Sequence, residues 1–191
     1  DILKWCMARG IRMDQSKGAS KTGACGFGFG ASHPFKPVDC KGRILPILEL
    51  PTPTQDLHVF APETLAEPLL AGALRVYGVA HFLFHPAHMA REQVADSLVR
   101  TVESGRNRGM DWWTAARIVA WNDARRAADW QDGALRTPKA LPGATVLTYA
   151  PWLSEAAQRN GAVATRERWG LTFTEEIVDM DAGGVWNGEI R

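Results

Sequence analysis

The residues best suited to chemistry lie in Val79-Ala80-His81-Phe82-Leu83-Phe84-His85-Pro86-Ala87-His88, a run holding three of the chain's five histidines. Imidazole changes charge near neutral pH and is the commonest metal ligand. The spacing His-x3-His-x2-His matches no zinc signature, however, and the run lacks the helical His-Glu-x2-His pattern. Against a metal centre made by these three alone stand two other readings: rings hydrogen-bonded inside a core, and a pocket histidine at a strand end. The flanking residues favour the last. Val79 to Phe84 is short, apolar and aromatic and follows Gly78, which predicts a buried strand. Alternation then puts His81, Leu83 and His85 on one face and Phe82 and Phe84 on the other. Pro86 cannot donate to a ladder, so pairing ends there. His85 becomes the last strand residue, the position where α/β folds meet their ligands.

Acidic groups fall at similar places. Ile11 to Asp14 reads as a short strand with Asp14 at its C-terminal end, and Ile44 to Leu50 as an apolar strand. Thr54-Gln55-Asp56 follows in the loop leaving that strand. Asp56 there can orient a histidine, bind substrate, or serve as a turn or cap residue. Gly26-Phe27-Gly28-Phe29-Gly30 superficially matches a phosphate loop but lacks a following Lys-Ser/Thr and a helix pattern, so a long loop or irregular hairpin is expected.

The elements that position these groups alternate. Residues 1–10 read as the tail of a helix with Ile2, Leu3, Cys6 and Met7 on one side and Gly10 as its stop. A helix is expected over 64–75, opened by a Thr64-x2-Glu67 capping box or at Pro68. The clearest helix is 90–108, with Val94, Leu98, Val99 and Val102 on one face and Gly109 at its end. Met110 to Trp113 reads as a short strand, and Thr114 as the cap of a helix to about Trp130. Strands alternating with helices indicate a parallel α/β sheet or barrel. Composition shifts near Gln131. Thr145 to Tyr149, Gly170 to Thr174 and Gly184 to Trp186 predict a β-rich appendage over 131–191, after a first domain of 1–130. The chain opens inside a helix pattern and closes at Gly188-Glu189-Ile190-Arg191 inside a strand pattern, as a piece of a longer protein would.

At 191 residues, 46% hydrophobic and 23% charged, the composition is that of a soluble globular protein with one core and a small addition. A net charge of +1 gives no electrostatic footprint for nucleic acid, and no apolar run approaches a membrane span. Cys6, Cys25 and Cys40 are an odd set without Cys-x2-Cys spacing. They are expected as free thiols in a reducing compartment, which favours the cytoplasm. Eight Trp residues offer core volume or flat surface for stacking on sugars or peptides.

Four stretches together resemble one family. They are Ile11-Arg12-Met13-Asp14-Gln15-Ser16, His33-Pro34-Phe35-Lys36-Pro37-Val38-Asp39, Leu48-Glu49-Leu50-Pro51-Thr52-Pro53-Thr54-Gln55-Asp56 and His81-Phe82-Leu83-Phe84-His85-Pro86-Ala87-His88. In order and spacing they resemble the C-terminal half of the polysaccharide deacetylase-like, or NodB-homology, barrel over residues 1 to about 130. The resemblance implies a partial (β/α)7 barrel of the glycoside hydrolase/deacetylase type and a metal-dependent hydrolase that removes acyl groups from carbohydrate. It implies a divalent metal, usually zinc, held by the second aspartate of an Asp-Asp pair and the two histidines of a His-x3-His group, with the first aspartate as base; all lie in the N-terminal half, so no complete metal set is expected in this chain. It also implies a histidine general acid on a late strand. His85 matches that acid by location; the usual Leu-x-x-His spacing is not kept, because Leu83 lies two positions before it.

The expected roles follow from the resemblance. His85 protonates the leaving amine or alkoxide, Asp14 or Asp56 orients the ring, and His33, Asp56, His81 and His88 line the carbohydrate. Replacing His85 by Ala in the full-length protein should then cost about 10²-fold or more in kcat. An incomplete barrel leaves open strand edges, so the chain alone is expected to lack turnover and to self-associate. The rival is a non-catalytic carbohydrate-binding or scaffolding relative on the same barrel. A glycosidase would need a separated pair of carboxylates, for which Asp14, Glu49 and Asp56 are the candidates.

Overall fold

The computed structural model describes residues 2–19, 25–30, 32–152 and 165–188. It is a mixed helix-and-strand protein with no closed barrel among those residues. Two compact units divide it, Asp1–Ala115 and Ala116–Arg191. No described helix is long and apolar enough to cross a membrane, and Cys6, Cys25 and Cys40 are free thiols.

The first unit is built on two short parallel strand pairs. β1 (Met13–Asp14) pairs with β2 (Leu48–Glu49) in the register Met13↔Leu48 and Asp14↔Glu49. β3 (Thr54–Gln55) pairs with β4 (Phe82–Leu83) in the register Thr54↔Phe82 and Gln55↔Leu83. One continuous segment, 48–55, therefore serves both pairs, and residues 47–54 along it are buried. Between the pairs, Gly18 bridges Thr52. A Cβ at Gly18 would stand 2.0 Å from the Thr52 carbonyl oxygen, so only glycine lets the two backbones meet.

Helices follow the strands. α1 (Ile2–Ala8) buries Leu3 against Leu45 and Ile47, with Cys6 and Met7 alongside. Ile2 instead points outward at 75% exposure, against expectation. Gly10, with φ 76°, ends the helix as expected. A 3-10 turn, Glu63–Leu65, leads into α2 (Ala66–Arg75), with no side-chain cap and Pro68 in the first turn. α3 (Pro86–Met89) and α4 (Glu92–Asn107) complete the order. The buried stripe of α4 is Val94, Ser97, Thr101 and Gly105; Val99 faces solvent at 54% exposure. Small residues let α4 lie close: Gly105 stands against Leu70 of α2.

Several strands are shorter than expected. β4 covers only Phe82–Leu83 and is half-buried, because it has β3 as its single partner. Residues 110–114 form no strand: Asp111 bends the chain by accepting the Trp112 backbone N–H and the Trp113 indole N–H, each at 2.8 Å. Residues 25–30 are irregular, while 20–24 of the same glycine-rich segment lie outside the described residues, as do 189–191 of the closing strand pattern.

The second unit starts with α5 (Ala115–Ala127), which stops before Trp130 because residues 129–131 enter a strand. β5 (Asp129–Gln131), β6 (Ala134–Arg136) and β10 (Val185–Trp186) form one antiparallel sheet. β7 (Leu141–Tyr149), β9 (Leu171–Met180) and β8 (Thr165–Arg168) form another. Asp132-Gly133 and Trp169-Gly170 close hairpins with both residues at positive φ, the twist that two-residue hairpins need. Ala124, Leu141, Ala144, Val146, Val178 and Met180 make the core.

Candidate metal centre at the strand ends

Parallel pairing sets the C-terminal ends of β3 and β4 side by side, so Asp56 and His85 emerge next to each other. The Asp56 N–H donates to the Leu83 carbonyl at 2.8 Å, which extends the ladder by one residue. The chain then turns at once. The Asp56 carbonyl accepts the N–H groups of Val59 (2.9 Å) and Phe60 (3.0 Å), and both Asp56 (φ 30°) and His58 (φ 68°) take left-handed backbone conformations. Such conformations cost on the order of 1 kcal/mol or more for residues other than glycine. Packing holds the turn: Leu57, Ala61 and Ala66 are buried together, with Phe82, Phe84 and Cys25 against them. Burying Leu57 completely contributes about 2 kcal/mol, enough to offset that strain.

On the β4 side, Pro86 occupies the first position of α3, and His85 is its extended N-cap at φ −84° and ψ 133°. His88 lies three residues on, within the single helical turn, so both rings face the same side. The Asp56 carboxylate is fully buried between them. Its Oδ1 accepts the His85 backbone N–H at 2.6 Å, and its Oδ2 accepts the His85 Nδ1–H in a short contact. The His88 Nδ1 lies 2.9 Å from that same Oδ2, so both rings face one carboxylate oxygen. The two rings meet edge to face at 5.5 Å, and Phe60 packs on His88 at 5.7 Å.

Burial alone would raise the Asp56 pKa. The His85 backbone N–H, then the His88 and His85 rings, outweigh it and hold the carboxyl below its ordinary value. One ligand atom from each of Asp56, His85 and His88 lies within 4.8 Å of the others. A carboxylate and two imidazoles are the donor set of catalytic zinc sites that keep a further position open. Two imidazole nitrogens crowded onto one oxygen of a buried carboxylate are what a shared cation would satisfy. These residues fit a divalent ion.

The remaining residues singled out in the sequence lie elsewhere. His33 donates its Nε2–H to the Val76 carbonyl at 2.8 Å, tying the 32–35 segment to the end of α2. The His81 Nδ1 sits 3.3 Å from both the Pro51 carbonyl and the Thr52 hydroxyl, beside the shared 48–55 segment. Burial lowers its pKa and favours the neutral ring. His81 thus does not join His85 on one reactive face; with β4 only two residues long, strict alternation does not reach it.

Asp14 meets Glu49, its register partner across β1–β2, rather than a histidine. The Ser16 hydroxyl donates to Asp14 Oδ2 at 2.6 Å, and the Lys17 N–H to Glu49 Oε1 at 3.1 Å. Burial and the hydrogen bond with Asp14 push the fully buried Glu49 up to about 7. For Asp14, burial acts upward, but the hydrogen bonds from Ser16, Glu49 and Gln15 hold it below the usual value. Asp14 and Glu49 are neighbours across one strand pair, whereas glycosidase carboxyls stand ~5 Å or more apart on either side of a sugar.

Beside the expected upstream ligands, the geometry adds a possible metal-binding set of Asp56, His85 and His88. Asp56, His85 and His88 were each visible in the sequence as substrate or acid residues. Their combination was hidden because Asp56 comes from a different strand, 29 residues before His85. The available signal was a carboxylate closing one strand and His-Pro-x-His closing the next. No family model matches the chain, and neither the curated proteins nor the solved structures contain a match to it.

Proposed function

We propose that this chain is part of a metal-dependent acyl hydrolase of carbohydrate, with Asp56, His85 and His88 holding a divalent ion at the strand ends of a (β/α)7-type barrel. The observation that carries the reading is the convergence of those three ligand atoms within 4.8 Å of one another. Mixed imidazole and carboxylate ligation favours zinc. The two parallel pairs sharing segment 48–55 support consecutive barrel staves. The carbohydrate substrate rests on the order of the four sequence stretches. When bound, such an ion supplies Lewis acidity at the acyl carbonyl and an activated water. The chain's own part is positional. The 56–60 turn fixes the carboxylate, the His85 N–H locks its orientation, and Phe60 holds the His88 ring.

A second reading is favoured by one observation, the double hydrogen bond from His85 to Asp56. In it His85 is the proton-transfer group that protonates the leaving amine or alkoxide, and Asp56 orients it. The two readings separate at His88. Zinc binding by equilibrium dialysis, with cobalt substitution read by visible absorption, should give one ion per chain. His85→Ala, His88→Ala and Asp56→Asn should each weaken it 100-fold or more, and acetate release from N-acetylated oligosaccharides by the full-length protein should fall in parallel and stop with chelator. If His88→Ala keeps wild-type turnover while His85→Ala loses it, the proton-transfer reading stands instead. No ion bound and no acetate released leaves the non-catalytic binding relative.

A further inference from the structure

The turn that presents Asp56 runs on into the 3-10 turn and α2, and the helix that presents His88 runs on into α4. One side chain ties these two lines together. Glu63, the first residue of the 3-10 turn, accepts the His58 Nε2–H on its Oε2 at 3.2 Å and the Arg100 Nε–H on its Oε1 at 2.5 Å. Arg100 belongs to α4, so a single carboxylate joins that helix to the 56–60 turn. His58 is the second residue of the turn with positive φ (68°), after Asp56 (30°). Its N–H donates to the Ala61 carbonyl at 2.7 Å, closing the turn through the backbone; its ring closes it through Glu63. Phe60, inside the same loop, packs on the His88 ring. A loop held in strained backbone conformations opens readily, so a modest contact decides how fully it stays closed.

A second clamp joins the same helices without touching the turn. Glu67 of α2 accepts the Ser104 hydroxyl at 2.5 Å and pairs with Arg108. Arg100, Ser104 and Arg108 recur every four residues along α4, as Glu63 and Glu67 do on the facing stretch, so each pair lies on one helix face. Both carboxylates are partly exposed, and ion pairs of that kind add little to the stability of a whole chain. What Glu63 has beyond Glu67, among the described residues, is the bond to His58. Arg100 foremost, and then His58, hold the Glu63 carboxyl below its usual value against the opposing effect of burial, so it accepts both bonds as a carboxylate at neutral pH.

We propose that Glu63, held by Arg100, is a positioning residue of the strand-end site: through His58 it keeps the 56–60 turn in the conformation that presents the Asp56 carboxylate to His85 and His88. The inference rests on the reading of those three residues as one site. Two readouts test it on the full chain. One is zinc affinity by equilibrium dialysis. The other needs no metal: the ring tautomer of His85 in chelator-treated protein, read at fixed pH from two-bond 1H–15N spectra. The Asp56 contact fixes the Nδ1–H form of His85, whereas an imidazole without such a partner favours Nε2–H. Glu63→Gln and Arg100→Gln should each lower zinc affinity about fivefold, the upper scale of a partly exposed ion pair, and should populate the Nε2–H form. The double variant should lose no more than either single one, because both act through one contact. Glu67→Gln, which removes the neighbouring clamp, should change neither readout. Wild-type tautomers in Glu63→Gln, an equal change in Glu67→Gln, additive losses in the double variant, or a wild-type His85 already in the Nε2–H form would each overturn the proposal. A wild-type chain that binds no zinc removes the metal reading instead, and the tautomers alone then decide whether Glu63 positions Asp56.

Discussion

Glu49→Gln tests whether the β1–β2 register makes a proton-sharing carboxyl pair. Glu49 is fully buried, its Oε1 accepts the Lys17 N–H, and its Oε2 has no hydrogen-bond partner among the described residues. Raised from 4.5 to about 7, the group binds its proton more tightly in the folded chain than in the unfolded one. Its stabilising contribution is therefore complete below about pH 4.5 and is lost as pH rises through about 7. At about 1.36 kcal/mol per pH unit of difference, the loss has a ceiling of about 3 kcal/mol. Asp14 is lowered, so its own contribution appears above its ordinary value near 4 and is lost on acidification, outside this window. The substituted amide keeps an oxygen for the Lys17 N–H, offers N–H to Asp14 and does not titrate. The variant should match the wild type at pH 5 and exceed it by about 1–3 kcal/mol at pH 8. Urea titrations at pH 5, 6, 7 and 8, read by hydrogen exchange in peptides covering 45–57, isolate the unit concerned. Equal pH slopes in the two proteins, or a variant less stable than wild type at pH 8, would refute the shared proton.

Two further outcomes test the scaffold around the centre. Gly18→Ala should destabilise the first unit by about 3 kcal/mol or prevent its folding, because the new Cβ would meet the Thr52 backbone; thermal melts of wild type and variant measure it. Asp39 accepts the Lys4 ammonium at 2.8 Å, the Arg43 guanidinium at 2.7 Å and the backbone N–H groups of Lys41 and Arg43. Those partners hold its carboxyl far below the usual range, so its support is present above about pH 4 and lost on further acidification. Hydrogen exchange in α1 should accelerate below pH 4 in the wild type, and Asp39→Asn should show that faster exchange already at neutral pH.

Local chemistry carried much of the architecture. Pro86 opened a helix because a ring nitrogen without N–H is tolerated in its first turn, although the strand before it had already ended at Leu83. Gly10 and Gly109 ended helices at φ 76° and 78°. Alternation marked Thr145 to Tyr149 as a strand, and Asp132-Gly133 closed a hairpin. Where a segment's state depends on partners distant in sequence, the pattern was less reliable. Val79 to Phe84 reads as a six-residue buried strand, yet only Phe82–Leu83 finds a ladder. Met110 to Trp113 reads as a strand, yet the Asp111 carboxylate captures the two following N–H groups.

The sequence by itself determined which residues could do chemistry and where several helices and hairpins end, because proline, glycine and side-chain alternation act within a few residues. Only the tertiary structure decided which of those residues meet. Parallel pairing of β3 with β4 sets Asp56 against His85 and His88, and pairing of β1 with β2 sets Asp14 against Glu49. Strand register is a long-range choice fixed by the burial of Leu48, Leu50, Thr54 and Leu57, and a one-residue slip would turn each of these carboxylates away from its partner.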